Sequence, residues 1–317
     1  MAFRVTNQMM SQRMLENLWA SMRRLDKWNQ QLSTGRRISL PSDDPADTET
    51  AMRLRTLLRE GEQYMRNVDD ALAWLEATDA ALNHATQVLQ RARELIIYGG
   101  NGTLTDEARQ ALATEMNQLI HDLFAVANTK HGQRYLFAGE NTLIRPFEVI
   151  LGEPADPGSP VGNFQYHPVV GFEYHGTRYA DGFDGLELEI EAGNTLRYNI
   201  FGNDVFEPIF EVLIAVRKDL ENGNLKDLTG DDLAKFDKAM DNLLRWRAEV
   251  GARVNRLELV RERLSQNQVN LEKLSAEVEG IDIAEVIMRL KMEENVYRAA
   301  LGAGARIIQP TLLDFLT

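Results

Sequence analysis

Apolar positions near the start of the chain fall three and four residues apart: Leu15, Leu18, Met22, Leu25 and Leu32, with polar Asn29 in the open slot. That spacing is the seam of a heptad repeat. Toward the other end, one heptad position reads Leu243, Val250, Leu257, Leu264, Leu271, Val278, Glu285, Met292 and Ala299. The position three residues further on reads Trp246, Arg253, Val260, Asn267, Leu274, Ile281, Met288, Asn295 and Gly302. The pattern predicts one helix over about 241–304, roughly 95 Å long. Its seam is interrupted by Arg253, Asn267, Glu285 and Asn295. A helix of that kind needs a partner for its stripe. The N-terminal helix is the expected partner, so that Leu257, Leu264, Leu271, Leu274, Val278 and Ile281 meet Leu15, Leu18, Met22 and Leu25 within one subunit. Gly251, Gly280, Gly302 and Gly304 each weaken the helix by about 1 kcal/mol relative to Ala. Pro310 ends it, and the apolar tail Thr311-Leu312-Leu313-Asp314-Phe315-Leu316 has nothing local to pack against.

Between these ends a second helical layer is expected. Leu54, Leu58, Met65, Val68, Leu72, Leu75, Leu82, Leu89 and Ile96 form a stripe that stops at Gly99-Gly100-Asn101-Gly102. Thr105 is placed to cap a further helix with Ala108, Leu112, Met116, Leu119, Leu123 and Val126 on one face. Two helices joined by a short glycine turn are expected to pack antiparallel. Residues 140–205 are rich in Pro, Gly and aromatics, and runs such as Phe164-Gln165-Tyr166, Gly171-Phe172-Glu173-Tyr174 and Leu186-Glu187-Leu188-Glu189-Ile190 alternate with period two. The helical pattern returns at Ile209, Val212, Leu213 and Val216. The fold class expected is mainly α, a long antiparallel helical bundle or coiled coil of paired N- and C-terminal helices with a small β-rich inserted domain. Three parts follow: terminal helices over 1–45 plus 241–317, a helical rod over 46–139 plus 206–240, and a β-rich, outward-facing insertion over 140–205.

Composition removes most chemistry from consideration. The chain has 317 residues, enough for two or three domains. It has no cysteine, which rules out disulfides, thiolate metal sites and cysteine nucleophiles. No apolar run approaches the ~18 residues of a membrane span, so no membrane insertion is expected. The N-terminus lacks the features of a cleaved signal peptide. A net charge of −13 argues against a nucleic-acid partner. The charge is uneven: residues 1–40 carry +5, residues 241–317 carry −1, and residues 41–240 carry −17. Packed ends and a solvated middle would give this division. His84, His121, His131, His167 and His175 show no metal-ligand spacing. Asp43-Asp44-Pro45 reads as a breaker leading into a helix, with acids where the helix dipole favours them, rather than as a carboxylate pair for catalysis. No catalytic residue, cofactor or metal is expected, and Trp19, Trp28, Trp74 and Trp246 are expected to pack in cores or grooves.

The run Gln31-Leu32-Ser33-Thr34-Gly35-Arg36-Arg37-Ile38-Ser39-Leu40-Pro41-Ser42-Asp43-Asp44-Pro45-Ala46 resembles the N-terminal signature of the flagellin superfamily. Ser33, Gly35, Ile38, Asp43, Asp44 and Pro45 carry the likeness, and the form is most similar to the superfamily's hook-associated protein 3 branch, the hook–filament junction proteins. Tyr135-Leu136-Phe137-Ala138-Gly139 and the C-terminal tail also match. The resemblance implies a structural protein without enzymatic activity that joins hook to filament by self-assembly. It implies terminal helices paired inside a tubular assembly and a middle that faces outward. It also implies extracellular location in the bacterial flagellum after type III export without a cleaved signal. The implied partners are copies of the chain, the neighbouring hook-associated junction protein, flagellin and a cytosolic export chaperone. A filament subunit is the alternative within the superfamily, and a helical enzyme or binding module the alternative outside it. The expected assembly interface combines the stripes and the tail: Leu15, Leu18, Met22, Leu25, Leu32, Leu257, Leu264, Leu271, Leu274, Val278, Ile281, Met288, Leu312, Leu313 and Phe315.

Overall fold

Six helices hold most of the residues described by the computed structural model, which are 7–38, 44–100, 104–152, 168–177, 185–224 and 228–308. They are α1 (Asn7–Thr34), α2 (Pro45–Gly99), α3 (Asp106–Ala127), α4 (Gly202–Asn222), α5 (Leu233–Glu279) and α6 (Ile283–Ile308). Local chemistry explains several of their ends. Asp44 caps α2, its Oδ1 accepting from the Asp47 amide at 3.2 Å, and Pro45 takes the first helical position, where a missing N–H costs nothing. Thr105 Oγ1 accepts from the Ala108 amide and caps α3 as its sequence suggests.

The single helix expected over 241–304 is two helices. α5 begins earlier, after a π-helical turn at Leu228–Asp232, and stops at Glu279. At Gly280 a Cβ would collide with the Ala276 carbonyl oxygen, so only glycine fits this turn. Asp282 then starts α6, its Oδ1 accepting from the amides of Ala284 (2.9 Å) and Glu285 (3.2 Å). The break resets the helical phase. Leu243, Val250, Leu257 and Leu264 are buried in α5, but Glu285, Met292 and Ala299 of the same heptad position are exposed in α6. Val286 and Leu290 are buried there instead.

The chain forms two compact units, one of residues 1–60 and 267–317, the other of residues 61–266. In the second unit, α2, α3, α4 and α5 bury Leu75, Leu82, Leu89, Met116, Phe124, Phe210, Leu243 and Leu257 in one core. The Phe124 and Phe210 rings stack at 3.9 Å, and Phe147 meets Phe210 edge-on at 5.3 Å. Among the described residues, three antiparallel strand pairs belong to the same unit: β1 (Lys130–His131) with β2 (Arg134–Tyr135), β3 (Phe147–Leu151) with β4 (Val169–Tyr174), and β5 (Glu187–Glu191) with β6 (Asn194–Arg197). The described strands send Phe147, Val169, Ile190 and Leu196 into the core that the helices build. Asn117 and Asn128 bridge the two layers by bonding the backbones of Val169 and Phe147. The matched segment Tyr135–Gly139 lies here, with Phe137 buried edge-on against Phe206 at 4.9 Å.

Arg253, which interrupts the α5 seam in sequence, is used within the subunit. Its guanidinium donates to the backbone carbonyls of Arg197 and Asn199 at 3.3 Å and ties α5 to the end of β6. His175 lies 3.2 Å from Glu148, yet the described residues contain no group of three or more His, Asp or Glu able to hold a metal. No helix is long and apolar enough to cross a membrane among the described residues. The Phe164–Tyr166 run and His167 lie outside the described residues.

Candidate assembly interface

The first unit is built on the antiparallel pair α1 and α6. Its register can be followed through four contacts: Met14 against Gly304, Ser21 to Glu293, Trp28 under Arg289, and Arg36 opposite Gly280. Met14, Leu18, Ser21, Leu25, Trp28 and Leu32 form the inner seam of α1, and Val286, Leu290, Glu293, Tyr297 and Gly304 that of α6. Glu293 sits in the seam with one carboxylate oxygen, Oε1, bound from α1. It accepts from Ser21 Oγ and Arg24 Nε, each at 2.9 Å, and the Arg24 bond holds its carboxyl below the ordinary range.

The seam differs by one residue from the sequence expectation along half of α1. Leu18, Leu25 and Leu32 are half-buried and face inward as expected. Leu15 and Met22, which are 52% and 54% exposed, do not; Met14, Ser21 and Trp28 occupy their seam positions. A serine that donates into a carboxylate is invisible to a count of apolar residues, so apolar spacing alone points to the neighbouring positions. The expected meeting of α1 with the 257–281 stripe is also corrected. Antiparallel pairing from Arg36 at Gly280 runs α1 along α6, leaving Leu257 and Leu264 in the core of the second unit. Leu271, Val278 and Ile281 are half-buried and Leu274 is exposed, while Met288 is 66% exposed. Leu312, Leu313 and Phe315 lie outside the described residues.

Outside the seam, the outer side of the pair carries apolar residues spread around both helices. Met9, Met10, Leu15, Trp19 and Met22 are exposed on α1, and Ile283, Ile287, Met288, Met292, Val296 and Leu301 on α6. Apolar side chains repeated along both helices of a pair exceed the scattered exposure of an ordinary surface. Residues 1–60 and 267–317 contain 15 Lys/Arg and 15 Asp/Glu, so the unit bearing this side has no net charge. Residues 61–266 contain 20 and 33 and carry the whole −13.

Four of the six signature residues take part in local structure. Gly35 adopts φ 68° just past the end of α1, a left-handed position suited to glycine. Ile38 is buried, Ser33 is exposed, Asp44 is the α2 cap and Pro45 follows it. Asp43 lies outside the described residues.

Comparison with known proteins matches both ends. Residues 5–142 match the family profile described as bacterial flagellin N-terminal helical region, and residues 233–316 match bacterial flagellin C-terminal helical region. The chain is 25% identical to flagellar hook-associated protein 3 of Escherichia coli (strain K12) over 327 residues, covering 95% of each chain. It is 26% identical to flagellar hook-associated protein 3 of Salmonella typhimurium over 315 residues, covering 94% of each. Its fold matches the crystal structure of the flagellar junction protein FlgL from Legionella pneumophila with a TM-score of 0.55 at 16% identity, covering 74% of this chain and 100% of that one.

Proposed function

We propose, for a chain that belongs to the flagellin family, that it is a structural protein of the bacterial flagellum which joins hook to filament by self-assembly through its terminal helices. One observation carries the reading: α1 and α6 pair through one face, and their outer face keeps apolar side chains that the described chain does not cover. A face of that kind on a unit without net charge suits repeated packing of copies, because no electrostatic repulsion accumulates as copies are added.

In this reading segments 1–45 and 241–317 serve assembly, segments 46–139 and 206–240 form the rod, and residues 140–205 face outward. The partners are copies of the chain, the adjoining hook-associated junction protein and flagellin, with a cytosolic chaperone during type III export without a cleaved signal. The tail residues Leu312, Leu313 and Phe315 add apolar contacts, since an apolar stretch after Pro310 is stabilised only when something buries it. The role is mechanical, with no catalytic step. Antibody labelling of intact flagella tests the assignment. Label confined to the hook tip is the expected result, and label along the filament would make the chain a filament subunit.

A further inference from the structure

The signature run has a structural counterpart near the other end of the chain, and the two close on one carboxylate. Arg36 pairs with Gly280 in an isolated antiparallel bridge. The Arg37 amide donates to the Glu279 carbonyl at 2.6 Å, and its guanidinium donates to the Val278 carbonyl at 3.1 Å. Gln31, buried in the last turn of α1, donates to the Arg37 carbonyl at 2.9 Å. Arg55 of α2 grips Glu279 with two bonds of 2.7 Å, and Arg36 Nε lies 3.5 Å from the same carboxylate. The Arg37 guanidinium also pairs with Asp44 and Asp47 at the start of α2. The end of α1, the start of α2 and the end of α5 thus meet at Glu279, one residue before the break that precedes α6.

Helix stability does not explain this residue. Glu279 is the last residue of α5, where the helix dipole disfavours an anion. Its side chain is only 5% exposed, and a buried ion pair is often no more stabilising than a packed apolar side chain. What two arginines on one carboxylate supply is direction, because the paired N–H bonds of a guanidinium accept only a narrow range of angles.

We infer that Glu279 is a positioning residue: with Arg36 and Arg55 it forms a latch that fixes the direction in which the α1–α6 pair leaves the first turns of α2 and the last turns of α5. All of these segments lie in the first unit. The latch deepens the assembly reading and rests on it, since a fixed direction aims the exposed apolar side chains of the pair at its neighbours. It also gives the signature a physical role: Gly35 ends α1, Arg36 and Arg37 reach across, and Asp44 starts α2.

The chain has no cysteine, so two can be introduced as the only labelling sites. Glu16→Cys on α1 and Met52→Cys on α2 are exposed positions for spin labels in the full chain. Pulsed dipolar spectroscopy should give one narrow separation in that background. Glu279→Gln should lose it to a broad distribution while circular dichroism keeps its helical signal. Arg55→Gln should have the same effect, and combining the two should add little. An unchanged narrow separation in Glu279→Gln would overturn the latch, as would a broad one already present without it. If Glu279→Gln loses helical signal, Arg55→Gln decides: a broad separation upholds the latch and a narrow one overturns it. The assembly reading is judged by labelling on flagella, so hook-tip label together with an unchanged separation would remove the latch alone.

Discussion

Truncating Leu290 and altering Met288 should have opposite consequences, although the two residues are neighbours on α6. Leu290 is 7% exposed and faces α1, whereas Met288 is 66% exposed on the other side. Leu290→Ala removes buried methyl groups, a change that costs about 2–5 kcal/mol in protein cores. A pair of helices can close partly around the gap, so about 2 kcal/mol is expected, or roughly 30-fold in the opening equilibrium. Met288→Gln together with Met292→Gln keeps good helix formers at exposed sites and should change the free chain by no more than about 0.5 kcal/mol. In an assembled contact, by contrast, each buried methionine contributes about 1.5–3 kcal/mol. Amide hydrogen exchange on the dilute full chain should therefore accelerate across α1 and α6 in Leu290→Ala and stay unchanged in the double glutamine variant. Filament retention in cells should show the reverse sensitivity: the glutamine variant, secreted in normal amounts, should shed its filaments. Equal destabilisation of the free chain by both would refute the division into inner and outer faces. Firmly held filaments in the glutamine variant would refute the outer face as a contact.

Other outcomes follow from the same geometry. Phe210→Ala removes a ring stacked on Phe124 in the second unit and should cost about 3–5 kcal/mol in urea unfolding. Gly280→Ala puts a methyl group against the Ala276 carbonyl and should cost about 1–3 kcal/mol, measured the same way. Glu293 is held below its ordinary range by Arg24, so its contribution is complete above the unfolded value of about 4.3 and is lost as pH falls through the lower folded value. Exchange protection of α1 should accordingly hold from neutral pH to about 5 and decline below about 4, and Glu293→Gln should flatten that decline. Phe315→Asp should leave secretion normal and impair filament attachment; full-length, attached filaments would show that the tail is not a contact.

The helical character of both ends, the cap at Thr105, the helix start at Pro45 and the strands around Phe172 and Leu188 could be read from sequence, because each depends on local spacing. The faces of the helices could not. Ser21 occupies a seam position only because Glu293, 272 residues away, accepts its hydroxyl. Arg253 looked like a fault in the α5 seam because the carbonyls it binds are more than fifty residues away. Gly280 was visible as a weak point, but its effect on phase depends on the collision with Ala276 and the cap at Asp282. The Glu279 cluster left no signal, since ordinary surface arginines and glutamates have the same spacing. The aromatic stack of Phe124 on Phe210 was likewise hidden, because it joins two helices with all six described strands between them in sequence.

The slip in phase at Gly280 separates two obligations that a continuous helix would force on the same residues. Each residue of helix turns the chain by about 100°. An unbroken α5 would therefore carry the heptad position of Leu257 and Leu264 straight on to Met292 and Ala299, and a substitution suited to one stretch would constrain the other. Past the break, that position is exposed among the described residues, while Val286 and Leu290 take over the internal work. The outer surface of α6 is free to be rewritten for a different neighbour, one side chain at a time, without disturbing how its own chain folds.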